Sequence, residues 1–327
     1  MLGTMRVVAA MAAGLLAVPP LLAPASAQDF PSKPIRLIVP FPPGGPADII
    51  ARATGEKAAG AFGQPVVIEN RPGAAGVTGI VAVSKADPDG YTIGISASSI
   101  LSIHPSLADK PQLDPATSLT LVTQFVSVPE LLAVNESVPA RSLAELVALA
   151  KSQPGKLSFA TPGIGTISHL VMEMLKVNAG INVVHVPYTG AAPAINDLLG
   201  GHVQMLFADL PILIGNVKGG KLRPIAVGSE RRARDLPDVP TARELGWTEV
   251  VADNWYGLVA PPRLPQAILD RIHGVIVGAL KSPEVSGKLE SQGNIIVGNS
   301  PAEFAAYVKS ESAKWARVIR TAGLKPN

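Results

Sequence analysis

Cysteine is absent from the 327 residues, so a disulfide scaffold, a thiolate metal site and a cysteine nucleophile are all excluded. Charge is sparse as well: charged residues make up 16%, and 28 Lys+Arg against 25 Asp+Glu leave a formal surplus of three positive charges. With no dense basic face interleaved with aromatics to hold phosphates, nucleic acid is not an expected partner. No Walker lysine is present, because Gly155-Lys156, Gly220-Lys221 and Gly287-Lys288 are each followed by Leu. A G-x-S-x-G elbow and an H-E-x-x-H helix are missing too. His104, His185, His202 and His273 are scattered with no nucleophile beside them, so neither a catalytic residue nor a cofactor is expected.

What the chain does have is apolar surface. Hydrophobic residues make up 47%, enough to bury a core and to exclude a disordered chain. Gly 31 and Pro 31 predict many short elements joined by tight turns. Residues 1–27 read as a cleavable secretory signal: Arg6, an apolar stretch from Val7 to Leu22, then Ala25-Ser26-Ala27, which fits an A-x-A cleavage site. Pro19, Pro20 and Pro24 break the tail of the run that a membrane anchor would need, about 20 continuous apolar residues. The expected product starts at Gln28, is exported and soluble, and is large enough for two domains.

The mature chain alternates strand and helix signals. Ile35–Val39 is a short apolar strand, followed by Pro42-Pro43-Gly44-Gly45-Pro46 and a helical pattern. Strands recur at Pro65–Ile68 and Tyr91–Ile95, and this βα alternation predicts α/β lobes whose sheets are mainly parallel and flanked by helices. The pattern restarts after Gln124 and continues through a middle region, where Thr241 and Glu244 form a capping box ahead of a helix stopped by Gly246. Trp255–Val259 is one more strand, and a helical tail ends with a helix over Pro301–Ala322. The expected division is a first lobe of 28–128 plus 254–327 and a second lobe of 129–253, with hinges near Ser127–Glu130 and Ala252–Trp255.

Two turns stand out for chemistry. At Gly44-Gly45-Pro46 a glycine turn ends a strand and opens a helix, which leaves backbone N–H groups free to attract an anion. Asp48 in the first helical turn can accept from those N–H groups or favour the helix dipole. The same glycines would equally serve a sharp turn with no ligand. Thr161-Pro162-Gly163-Ile164-Gly165-Thr166-Ile167-Ser168-His169 repeats the arrangement and adds hydroxyls and an imidazole. His169 and Glu173 are four apart but have no third partner, so no metal site is expected.

Several ordered motifs together carry a resemblance. They are Pro40-Phe41-Pro42-Pro43-Gly44-Gly45-Pro46-Ala47-Asp48 with Ala51-Arg52, Glu69-Asn70-Arg71-Pro72-Gly73-Ala74-Ala75-Gly76, and Pro88-Asp89-Gly90-Tyr91-Thr92. His185-Val186-Pro187-Tyr188, Pro193-Ala194 with Asp197-Leu198-Leu199-Gly200-Gly201, and Leu236-Pro237-Asp238-Val239-Pro240-Thr241 follow in order. Over nearly the whole mature chain the sequence resembles the Bug-type (TctC-like) solute-binding receptors of tripartite tricarboxylate transport systems. That resemblance implies a two-lobed periplasmic-binding-protein fold of the Venus flytrap, type II-like kind. It also implies a small carboxylate ligand and delivery to a membrane permease.

Carried over by motif, the first ligand loop is Phe41, Pro43, Gly44, Gly45 and Asp48, and the opposing loop is Thr161, Gly163, Gly165, Thr166, Ser168 and His169. Ser98, Ser99, Tyr188, Thr189 and Asp209 are further expected contributors. Asp209 has two readings: an acceptor for a ligand hydroxyl or ammonium, or a cap for the helix over Pro211–Val217. These loops hold no Lys or Arg, and Arg52 is expected in a surface or interlobe ion pair, so the ligand should carry one or two carboxylates rather than three. A monomer is expected. An exported α/β enzyme using Ser168 and His169, and a ligand-sensing partner of a membrane sensor kinase, are the alternatives; neighbours at a helix start point about 100° apart, which disfavours the enzyme.

Overall fold

The computed structural model describes residues 30–248, 250 and 252–321, so the expected signal over 1–27 lies outside the described residues. The first βα units are β1 (Ile35–Val39), α1 (Pro46–Phe62), β2 (Val66–Asn70), α2 (Val77–Ser84), β3 (Thr92–Ala97) and a short α3 (His104–Leu107). The long β4 (Thr120–Asn135) leads into α4 (Leu143–Ser152), β5 (Ser158–Thr161), α5 (Ile167–Ala179), β6 (Val184–Pro187), α6 (Ala191–Leu199), β7 (Met205–Asp209), α7 (Leu210–Lys218) and β8 (Leu222–Val227). The chain returns through β9 (Asp253–Ala260) and closes with α8 (Gln266–Leu280), α9 (Pro283–Glu290), β10 (Ile295–Ile296) and α10 (Pro301–Thr321).

The strands run in the order β2-β1-β3-β9-β4-β7-β5-β6, with β8 and β10 also pairing with β4. The flanks are parallel as expected, at β2-β1-β3 and at β7-β5-β6. Every pairing made by β4 or β9 is antiparallel, because these two strands carry the chain out of one half of the sheet and back again. The crossings are thus strands rather than loops: β4 pairs with β9 from Thr120 to Pro129 and with β7 from Glu130 to Val134, and its register shifts near Leu121, Gln124 and Leu132 mark where it bends.

Local sequence explains the elements. Helix α1 starts with Pro46 in its first turn, where a missing N–H costs nothing, and ends at Gly63 in the left-handed conformation with φ 68°. Its Ala47, Ile50, Ala51, Ala58 and Phe62 are buried, while Ile35, Leu37, Ile38 and Val39 of β1 are covered on both faces, as a parallel strand should be. The Thr241–Glu244 capping box forms with both bonds, Thr241 N to Glu244 Oε2 at 2.8 Å and Glu244 N to Thr241 Oγ1 at 3.0 Å. It caps a single stretch of turn and not a helix, because Gly246 at φ 87° ends the segment at once.

Buried apolar residues form one cluster under β1, β3, β9 and α8 and two on the faces of the second half of the sheet. Helix α10 joins them. Its Phe304 and Val308 belong to the first cluster, whereas Trp315 and Ile319 pack with Leu132, Phe207 and Leu170 in the second.

Candidate functional site

The turn after β1 is stapled by Asp48. Its Oδ2 accepts from Gly44 N at 3.0 Å and Arg52 Nε at 2.8 Å, and its Oδ1 accepts from Asn70 Nδ2 at 2.9 Å. The same Asn70 nitrogen donates to Phe41 O at 3.0 Å, so both ends of the turn are tied to one buried carboxylate. Burial works against that charge, but the bonds from Arg52, Gly44 and Asn70 prevail and hold the carboxyl below its usual range. Arg52 is accordingly in an i,i+4 surface pair within its own helix, and it also donates to Asn70 Oδ1 at 3.2 Å. Gly44, at φ 81°, supplies the turn and lies exposed. With Asp48 occupied in this way, the N–H groups of Gly45, Ala47 and Asp48 have no protein acceptor among the described residues.

The second turn, between β5 and α5, is held from within. Thr166 caps α5 by accepting from His169 N at 3.3 Å and donates to Gly163 O at 2.8 Å. Gly165 N donates to His169 Nδ1 at 3.2 Å, and Thr161 Oγ1 lies 2.7 Å from His185 Nε2. Ser168 Oγ donates to the Glu130 carboxyl at 3.3 Å. Ser168 and His169 are therefore engaged in different directions and do not meet. The N–H groups of Ile167 and Ser168 have no protein acceptor among the described residues. His169 Nε2 stands 3.8 Å from Glu173 Oε1, and among the described residues no group of three potential metal ligands occurs.

These turns border two adjoining chambers that share Phe41, Pro42, Ser99 and Pro162 in their walls. The inner chamber, about 690 Å³ of empty space with its open mouth included, is lined by Phe41, Pro43, Gly45, Ser99, Thr166, Ser168 and Asp209 of the expected residues. Gly163, Gly165, Tyr188 and Thr189 line the outer chamber, together with Phe41 and Ser99. Asp48, Ser98, Thr161 and His169 border neither chamber and act behind the walls, and Gly44, also outside both linings, lies exposed at the turn. Ser98, for example, is fully buried and donates to Asn254 Oδ1 at 2.6 Å. Tyr188 turns its hydroxyl to Asp197 Oδ2 at 2.5 Å.

Sequence reasoning missed a third helix start. Gly190, Ala191, Ala192 and Pro193 of α6 also line the inner chamber, and the N–H groups of Ala191 and Ala192 are without a protein acceptor among the described residues. The signal was the same strand, glycine, helix order seen at Gly45 and Gly163. Three helix N-termini, those of α1, α5 and α6, thus surround one chamber, and neither chamber has a Lys or Arg among its lining residues. Asn254 and Tyr256 of β9 were missed as well, and no local motif announces them.

The floor is acidic and internally satisfied. Asp209 stands at the N-cap position of α7 but makes no side-chain cap; its Oδ1 accepts from Asn254 Nδ2 at 2.8 Å and its Oδ2 from Tyr256 OH at 2.7 Å. Glu130 lies opposite Asp209 across β4 and β7 and is fully buried. Burial first, and then the neighbouring Asp209, push the Glu130 carboxyl well up from its ordinary range. Burial also raises Asp209, and the hydrogen bonds from Tyr256, Asn254 and Glu130 offset only part of that shift.

Comparison with known proteins is consistent over nearly the whole chain. The profile described as the tripartite tricarboxylate transporter family receptor matches residues 50–324. Protein BugT of Bordetella pertussis is 37% identical over 308 residues, covering 93% of both chains. The structure of the periplasmic binding protein BugD superposes with a TM-score of 0.87 at 33% identity, covering 91% of this chain and 100% of that one. An R. palustris protein solved with adipate gives a TM-score of 0.88 at 32% identity, with the same coverage.

Proposed function

The chain belongs to the tripartite tricarboxylate transporter receptor family, and on that premise we propose that it is a periplasmic solute-binding protein that captures a small mono- or dicarboxylate between two lobes. The lobes are residues 28–128 with 254–327 and residues 129–253, and capture hands the ligand to a membrane permease of the tripartite type. Export through a cleavable signal at 1–27 belongs to this reading, as does a monomeric receptor.

The observation that carries the proposal is the convergence of the α1, α5 and α6 N-termini on a chamber without a cationic lining residue. A carboxylate bound there accepts from neutral N–H groups at the positive ends of three helix dipoles, and the empty site leaves no buried guanidinium unpaired. The walls add Phe41, Pro42, Pro162, Ile167 and Ile212, which suit a short carbon chain. Asp209 at the floor adds an acidic group and no positive charge to the chamber, and its oxygens suit a ligand hydroxyl or ammonium, which argues against three negative charges on the ligand. That one relative was solved with adipate supports the ligand class.

A thermal-shift panel tests the proposal. Small mono- and dicarboxylates, adipate among them, should raise the melting temperature more than citrate does. Citrate as the best ligand, or hydrolytic turnover of simple esters, would overturn it.

A further inference from the structure

Behind the second turn, outside the chambers, three rings form a column. Phe159 stacks on His185 with centroids 4.7 Å apart and planes at 12°, and His185 stacks on His169 at 4.3 Å and 16°. Each imidazole holds one end of the turn. His185 Nε2 meets Thr161 Oγ1 at 2.7 Å, and that hydroxyl in turn contacts Gly163 O at 3.2 Å. His169 Nδ1 accepts from Gly165 N at 3.2 Å, while its own backbone N donates to Thr166 Oγ1 at 3.3 Å. The turn needs this support, since Gly163 at φ 153° and Gly165 at φ 76° sit in backbone conformations that no regular hydrogen-bond ladder maintains.

We infer that His169 and His185 are positioning residues for the carboxylate site: as a stacked pair of neutral imidazoles they fix the 161–166 turn and so aim the Ile167 and Ser168 N–H groups into the chamber. The inference rests on the carboxylate-binding reading for its function, although the geometry of the turn stands without it. Nδ1 of His169 accepts from Gly165 only while it is bare, which requires the neutral ring with its proton on Nε2. The charged groups facing the pair are Glu173 and Lys176 of α5, and Lys176 Nζ is already 2.7 Å from Glu173 Oε1. Glu173 alone favours an imidazolium at His185, and Lys176 opposes it. Burial, reinforced by Lys176, lowers His169 to about 4, and burial, reinforced by His169, lowers His185 to about 4. Protonating His169 would turn the acceptor at Nδ1 into a donor facing another donor and release Gly165.

Long-range 15N–1H correlation on the full chain labelled at His and Gly tests this without a ligand. His169 should show the Nε2–H tautomer and titrate near 4, and the Gly165 amide should move with the same midpoint. A midpoint near the ordinary value of about 6.5, or an Nδ1–H tautomer, would overturn the inference.

Adipate titration is the second arm. His169→Asn, which keeps an amide oxygen close to the Nδ1 position, should bind adipate within about threefold of wild type at pH 7 and lose the additional weakening that wild type shows near pH 4, whereas His169→Leu should bind at least tenfold more weakly. Comparing variants at each pH cancels the titration of adipate itself. Wild-type affinity in His169→Leu would refute the positioning role. Failure of wild type to bind any carboxylate would sink the functional reading and leave the labelled spectra to decide the role of the histidines in the turn.

Discussion

At the scale of single residues, much of the site's shape is set by groups that do not line the chambers. Asp48, Thr161 and His169 shape turns, and Ser98 orients Asn254. Glu130 carries the clearest consequence. Its pKa is raised in the folded protein, so it keeps its proton where the unfolded chain, with an ordinary carboxyl near 4.5, releases one. The unfolded state is therefore favoured increasingly as pH rises above about 4.5. Glu130→Gln keeps the shape and a donor toward Asp209 and removes this penalty. The variant should match wild type in melting temperature near pH 4 and exceed it at pH 8, the margin opening as pH rises above about 4.5. An equal or lower melting temperature at pH 8 would show that the fold does not raise the Glu130 pKa. Asp48→Asn, by contrast, breaks the bonds from Gly44 N and Arg52 and should cost about 1–3 kcal/mol in denaturant unfolding at pH 7.

At the scale of elements, much was legible. Glycine turns after apolar strands disclosed the starts of α1 and α5, and the same signature at Gly190 discloses α6 once it is sought. Crossing strands were harder, because β4 is buried almost throughout although Thr123, Gln124, Ser127, Pro129 and Glu130 interrupt its apolar pattern, so the segment reads as a hinge where the chain keeps its strand. Helix α10 was read by its period alone, which fixes its length but not its partners. Its Phe304 ring packs on Gly257, where an added Cβ would come within 2.2 Å of Cζ, and its Trp315 is fully buried in the second cluster. Gly257→Ala should therefore cost about 1–3 kcal/mol by overpacking. Trp315→Ala should cost about 3–5 kcal/mol by leaving a cavity. Chemical denaturation measures both, and a neutral result for Trp315→Ala would mean that the last turns of α10 do not belong to the core.

Over the whole molecule, the two sets of loops face each other closely enough to be tested by bulk. A Cβ built on Gly190 lies 3.4 Å from Pro42 Cγ, across the cleft between the proposed lobes. Closure is driven only by contacts that the ligand makes better in the closed form. Gly190→Val should then leave the ligand-free protein folded at a cost of about 1–3 kcal/mol for the strain at φ 151°, and abolish the stabilisation of about 2.7 kcal/mol expected at a hundredfold excess of ligand over its dissociation constant. Full ligand stabilisation in that variant would show that the cleft does not close at this point.

The central claim is that main-chain N–H groups at three helix starts, and no cationic side chain, hold the ligand carboxylate. A crystal structure of the protein with adipate tests it most directly. The account predicts a carboxylate within hydrogen-bond distance of N–H groups from Gly45 to Asp48, Ile167 to Ser168 and Ala191 to Ala192. A carboxylate bound instead to a Lys or Arg side chain, or lying outside the inner chamber, would contradict it.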